Sequence, residues 1–470
     1  MSMSNQEAST NGIITGSIWK QLLSFFFPIL LGTFFQQLYN TVDAIIVGNF
    51  VGKEALAAVG GTTSVLINFL LNLFIGISSG ATVVIAQYHG GQKIREVHAA
   101  VHTSIALAIV SGAAITVIGL AASPYALRAM GTPDDIIEYA LTYICIYFSG
   151  TIASCIYNMG SGILRAVGDT KRPLYFLIVA CMVNIVLDLL FVVAFDWGVA
   201  GVGIATVLSQ IASAALVGVV LLRTSRVYKV YLRDIRFDRK ILRQIMSVGI
   251  PAGIQSDLYS ISNILIQSSV NSFGTNTIAA WTAYGKIDGL FWMIIGAYGL
   301  AITTFVGQNF GAQQYERMRK SVRQCLLLSF ASTVLISVLF YFFASPLLQL
   351  FTSDAVVLDE GVRITRLLAP CYSAYVLIEV LSGAVRGTGD SLIPTLMVSG
   401  GICALRVIWL FTVLPMYRTL NTVLLSYPIT WVITSILFTV YYLQGGWLRR
   451  QIQKNGYAPE PPRRSRHSAA

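Results

Sequence analysis

Gly162-Ile-Leu-Arg-Ala-Val-Gly-Asp-Thr-Lys-Arg-Pro173 returns 221 residues later as Gly383-Ala-Val-Arg-Gly-Thr-Gly-Asp-Ser-Leu-Ile-Pro394. Outward from this pair, Gln87 and Gly90 recur at the same offset as Gln308 and Gly311, and Ser24 and Pro28 recur at 223 as Ser247 and Pro251. Agreement at three separated places marks an internal duplication. The motif reads as structural punctuation rather than catalysis. Gly168 and Gly389 permit a tight turn, and Asp169 and Asp390 cap a helix that opens near the proline. Arg165 and Arg386 are placed to pair with carboxylates or lipid phosphate.

What lies between the copies sets the solvent. Of 470 residues 55% are apolar and only 11% charged, against roughly 25% charged in a soluble domain. Uncharged runs are scarcely interrupted: Leu174–Phe195, for example, holds one acid, and Val199–Leu222 none. About twenty such residues cross a ~30 Å hydrocarbon core as a helix. Spans are expected at 20–48, 55–86, 98–122, 136–160, 173–195, 199–222, 244–271, 278–307, 321–344, 361–385, 392–415 and 422–444. The fold class is therefore an all-α integral membrane protein with twelve transmembrane helices in two pseudo-symmetric six-helix bundles. The expected divisions are an N-terminal segment 1–19, a first lobe 20–222, a hydrophilic linker 223–243, a second lobe 244–446 and a disordered basic tail 447–470. Residues 1–17 lack a basic n-region and no cleavage site follows the first apolar run, so that run is expected to stay as a span.

Basic residues sort by side. With the N-terminus inside, 25 of the 32 Lys and Arg fall on the cytoplasmic side and five opposite, which makes both termini cytoplasmic in an inner cell membrane. The net charge of +11 resides in these connections and forms no aromatic-interleaved nucleic-acid face. Six cysteines lie within apolar runs with no CxxC pair and read as packing residues. His98 and His102 have i, i+4 spacing without a third ligand type beside them, which argues against a metal site. Six spans per half is even, so the copies share one orientation and relate by an axis along the membrane normal, an arrangement recurrent in carriers.

Charges at membrane depth are functional by default. They are Asp43, Asp188, Asp257, Lys286, Asp288, Glu379 and Arg406; internal pairing, such as Lys286 with Asp288, is the bland alternative. Asn184 and Asp188 share one face of span five. Asp43 and Thr206 stand at similar depth in spans one and six. Four oxygen-bearing side chains there suit a proton or a small hard cation such as Na⁺, and two carboxylates in one low-dielectric pocket should share a proton and titrate together. A purely structural polar cluster is the alternative. The second half lacks it: Asn184 and Asp188 map onto Leu405 and Trp409, and Asp43 maps between Asn263 and Ile266. Gln37, Tyr39, Tyr259, Trp281, Tyr284, Trp292, Met293 and Tyr298 are candidate cavity residues together with Asp257, Lys286, Asp288 and Glu379. Aromatic faces and acids suit amphipathic organic cations.

Pro28, Asp43, Ala86-Gln87 through Gly90, Arg165-Ala-Val-Gly-Asp-Thr with Pro173, Trp197-Gly198-Val-Ala-Gly201 and Arg386-Gly-Thr-Gly-Asp-Ser resemble the multidrug and toxic compound extrusion (MATE) family, over about Lys20 to Gly446. The resemblance implies a V-shaped antiporter that exports amphipathic cations in exchange for H⁺ or Na⁺. It also implies a first-lobe cation site at the positions of Asp43, Asn184, Asp188 and Thr206. A span-seven acid used by some relatives has Asp257 as its nearest match, and Glu379 of span ten has the uncharged Asn158 as its repeat partner. The expected function is cation-coupled efflux by alternating access, with Pro28 as a bend in span one, no enzymatic activity, no cofactor beyond the coupling ion, no nucleic-acid partner and a functional monomer. The alternative is an exporter or flippase of a lipid-linked or polar metabolite. An excess of five intramembrane acids over two bases favours cationic cargo.

Overall fold

The structure, a computed structural model, describes residues 12–459. Every expected span is helical, and no strand occurs among the described residues. In the first lobe α1 is Ile18–Ile46, α2 Thr62–Gly90, α3 Ile94–Ala129, α5 Lys171–Asp188 and α6 Gly198–Arg223. α4 is Asp134–Ser149 and Thr151–Ala166, bent by 50° at Gly150. In the second, α7 is Arg239–Asn271, α8 Thr275–Gly311, α9 Tyr315–Phe342 and α12 Leu420–Gln444. α10 joins Ala355–Leu368 to Tyr372–Gly387, and α11 joins Leu392–Val398 to Leu405–Thr412.

All but α7 are long and apolar enough to cross a membrane when the halves of α4 are taken together. α7 is 33 residues long, but Gln255, Ser256, Asp257, Ser260 and Asn263 dilute its apolar content. It is sheltered by neighbours, not by lipid alone. The second span was expected from 55; instead Lys53–Gly60 forms a separate short helix before α2. The repeated motif folds alike in both copies. Gly168 and Gly389 take φ of +101° and +92°, a region that favours glycine. Asp169 Oδ1 accepts from the Arg172 N–H at 3.2 Å and Asp390 Oδ1 from the Ile393 N–H at 3.4 Å.

The tail differs from expectation. Gly446–Lys454 is a helix, not a disordered strand of chain, because Trp447, Leu448, Gln451 and Ile452 give it a buried side. Beyond it the Tyr457 ring lies 5.3 Å from that of Phe310 at the end of α8, with Lys93 Nζ 5.2 Å from its centroid. Residues 460–470 lie outside the described residues, as do 1–11. At the N-terminus Gly12–Thr15 forms a helical turn, and Arg317 of α9 donates to the carbonyls of Ile13 and Gly16 at 3.0 and 2.5 Å.

The lobes meet along two seams of unequal depth. α2 and α7 run together from Tyr88, which donates to Gln244 Oε1 at 2.7 Å, to Asn72, which donates to Ser260 Oγ at 3.5 Å. Between those points Gly76 faces Gly253 and Gly80 faces Gly249, so close that a Cβ on Gly80 would stand 2.4 Å from the Ile245 carbonyl oxygen. Small residues let membrane helices approach in this way. α1 and α8 meet nearer the face that bears the termini, where Phe26 stacks on Tyr298 at 4.2 Å and Phe25 meets Phe305 edge-on at 5.7 Å. Further from that face Gln36, Gln37, Asn40 and Thr41 of α1, Ser256 and Asn263 of α7, and Thr282 and Lys286 of α8 are exposed. Polar side chains at that depth require water, so they line a cleft opening away from the termini.

Candidate functional site

Asp43 lies one turn before the end of α1, Asn184 and Asp188 on the last turns of α5, and Thr206 two turns into α6. α5 packs against both α1 and α6, and this brings the four together: the Asp43 carboxyl neighbours Asp188, Asn184 and Thr206. They are 5, 0, 0 and 3% exposed for Asp43, Asn184, Asp188 and Thr206. A π-turn begins at Val47 beyond Asp43, and another at Leu189 directly after Asp188. Such widened turns cluster at functional sites because they re-aim side chains at the cost of regular hydrogen bonds.

The chemistry of the donor set is decided by what is unpaired. Asp43 Oδ1, both Asp188 oxygens, both amide atoms of Asn184 and Thr206 Oγ1 are buried without a hydrogen-bond partner. Among the described residues no Lys, Arg or His comes within ion-pair distance of either acid. Two buried carboxylates without a counter-charge are strongly disfavoured. An oxygen-rich set of this kind fits a proton or a hard cation such as Na⁺. Tyr143, on the first half of α4, also abuts Asp43 and Thr206. It carries no charge and belongs to no repeated motif, so nothing in the sequence singled it out.

The other expected site residues do not converge on one cavity. Gln37 is exposed to the cleft and Tyr39 half-buried on α1. Asp257 and Tyr259 are half-buried on α7, with one oxygen of Asp257 and the Tyr259 hydroxyl unpaired. Trp281, Tyr284, Asp288 and Trp292 pack inside the second lobe instead. Asp288 accepts from Tyr372 Oη at 2.6 Å, Trp292 Nε1 at 2.7 Å and Tyr284 Oη at 3.0 Å. The pairing of Lys286 with Asp288 is not formed: Lys286 points to the exposed side of α8 while Asp288, two residues on, turns inward. Met293 is half-buried on α8, and Tyr298 is in the seam. Glu379 packs over Gly299, with Arg386 as its charged neighbour. A cavity of about 250 Å³ lies two turns nearer the termini than Asp43, bounded by Gly32, Gln36, Ser78, Asn158, Arg165 and Thr303.

His98, His102 and Asp234 do gather, but His102 has no nitrogen left for a metal. Its Nε2 accepts from the Tyr231 N–H at 2.9 Å, which leaves Nδ1 to donate to the His98 carbonyl at 2.7 Å.

Comparison with known proteins agrees with this architecture. The chain is 29% identical over 447 residues to the probable multidrug resistance protein YoeA of Bacillus subtilis, covering 93% of this chain and 96% of that one. It is 28% identical over 378 residues to YpnP of the same organism, another probable multidrug resistance protein, covering 80% and 84%. Among solved structures, a MOP superfamily transporter from Pyrococcus furiosus superposes with a TM-score of 0.86 at 25% identity, covering 94% of this chain and 98% of that one. The family model MatE matches twice, over residues 28–190 and 251–412, one match per repeat. With both copies matched and the six-plus-six helices in place, the chain belongs to the MatE family of membrane transporters.

Proposed function

We propose that the chain is a secondary antiporter that exports amphipathic organic cations, drugs among them, in exchange for H⁺ or Na⁺. The observation that carries this reading is the set of unpaired, buried oxygens on Asp43, Asn184, Asp188 and Thr206. Uncompensated carboxylates need a cation, and one that binds and leaves supplies the coupling. The names of the YoeA and YpnP proteins support drugs as cargo. The basic face that bears the termini is the cytoplasmic one. The cleft then opens outward, and one chain carries both lobes, so a monomer suffices.

Ion binding between α1, α5 and α6 offsets one of the two negative charges and draws the three helices together. Release restores the like charges and loosens them. α1 also lines the cleft through Gln36, Gln37 and Asn40, so its position ties ion occupancy to the shape of the cargo surface. Uptake of a fluorescent cationic dye into everted vesicles, with pH and Na⁺ gradients imposed separately, tests this. One gradient should drive uptake, and Asp43→Asn should abolish it with membrane insertion intact. A dye signal indifferent to both gradients would sink antiport.

A further inference from the structure

The second lobe repeats the scaffold of the ion site with the charge inverted. α11 packs against α7 and α12 as α5 packs against α1 and α6. The 221-residue offset pairs Asn184 with Leu405. In α11, however, a π-turn at Ser399–Ala404 stands immediately before that position. A π-turn holds one residue more than an α-turn, so the side chain brought round to the inner face is the next one, Arg406. The three helices that carry Asp43, Asn184 and Thr206 in the first lobe thus carry Asn263, Arg406 and Tyr427 in the second. Tyr427 is the counterpart of Thr206 at the same offset, and Asn263 stands one turn before Ile266, the counterpart of Asp43 at the offset of the prolines.

The Arg406 side chain is wholly buried. Its guanidinium carbon lies 4.1 Å from the Tyr427 ring centroid and 5.7 Å from that of Tyr259, and Nη1 donates to Asn263 Oδ1 at 3.2 Å. Nε and Nη2 have no hydrogen-bond partner. Among the described residues no carboxylate pairs with it, and Asp288 is already held by three neutral donors. Two aromatic faces and an amide oxygen form a cage for a cation, and the chain itself supplies the occupant.

We propose that Arg406 is a tethered cation: its guanidinium holds, in the second lobe, the place that the coupling ion takes in the first. This rests on the reading of Asp43, Asn184, Asp188 and Thr206 as the ion site. The second lobe is then permanently in a cation-loaded form. α7, α11 and α12 stay together through the cycle, and one ion site per chain turns over.

The test uses purified full-length protein and methylguanidinium as the probe. Arg406→Ala empties the cage, so this variant should melt at lower temperature than wild type and recover with millimolar methylguanidinium, which leaves wild type unchanged. Its dye transport should fall at least ten-fold and return in part with the probe. Arg406→Met keeps the stem without the charge and should stay inactive, whereas Arg406→Lys should retain activity; this pair carries the test if the alanine variant does not fold. Wild-type transport by Arg406→Met, or a folded Arg406→Ala indifferent to methylguanidinium, would overturn the proposal. So would two exchangeable ions per chain, one lost in Asp43→Asn and the other in Asn263→Ala. If instead Asp43→Asn transports normally, the first-lobe site fails while rescue by methylguanidinium still assigns the cage, so the two failures are distinct.

Discussion

Gln87 and Gln308, equivalent in the two repeats, make the same bond across the lobe boundary in opposite directions. Gln87 Nε2 donates to the Gly387 carbonyl at 2.8 Å and Gln308 Nε2 to the Ala166 carbonyl at 2.6 Å. The acceptors are also 221 residues apart. Both bonds tie the end of the second helix of one lobe to the end of the fourth helix of the other, on the basic face. They can exist only while that face is shut.

Gln87→Ala and Gln308→Ala should therefore favour the conformation open to the basic face. Losing one such bond costs about 1 kcal/mol, roughly a five-fold change in the balance of states. Distances between spin labels placed on the two lobes at that face should broaden toward longer values in each variant. Unchanged distributions would show that the pair does not set the balance.

Asp188→Asn keeps the shape of the proposed ion site and leaves it a single ionisable carboxyl. Coupled dye uptake should fall at least ten-fold while the protein remains in the membrane. Direct measurement of ion uptake or proton release on cargo binding should show the same loss. Thr206→Ala removes a neutral ligand oxygen and should weaken ion affinity, with maximal rate recovered at higher ion concentration.

At the α2/α7 seam Gly80→Ala forces a Cβ against the Ile245 carbonyl, while Gly218 has nothing within 4 Å of its own added Cβ. Overpacking of this kind costs about 1–3 kcal/mol. Gly80→Ala should lower the melting temperature in detergent, and Gly218→Ala should not.

Inside the second lobe Asp288→Asn replaces a carboxylate that accepts three hydrogen bonds with an amide that presents only one acceptor oxygen. A buried hydrogen bond lost here leaves its donor unsatisfied at a cost of about 1–3 kcal/mol, so melting should drop clearly. Lys286→Ala, on the exposed side of the same helix, should change stability by no more than about 0.5 kcal/mol. Equal effects would restore the ion pair that the structure separates.

The spans and the repeat were legible because the membrane enforces long apolar runs and the turns between them need fixed residue types. The cluster of Asp43, Asn184, Asp188 and Thr206 was legible because intramembrane acids are rare and helical spacing fixes their faces. Arg406 was visible as a charge but not as a counterpart of Asn184. The π-turn that shifts it by one residue follows from backbone geometry and leaves no mark in a fixed-offset alignment. The inward turn of Asp288 was also hidden, since its three donors come from two helices far apart in sequence, α8 and α10. The buried side of Gly446–Lys454 escaped notice for a simpler reason: its charge and the Pro/Arg-rich run after it drown four buried residues.

The unequal seams make the molecule resemble a book more than a pair of scissors. α2 and α7 form the spine, sealed by glycines through most of the bilayer, while the α1/α8 edge is clasped near the basic face. Opening on such a spine widens one side far more than the other, so the cleft gapes toward the lipid between α1 and α8. Under the proposed export, a cargo whose aromatic body rests in the leaflet on that side would have a sideways exit and need never pass through water to leave.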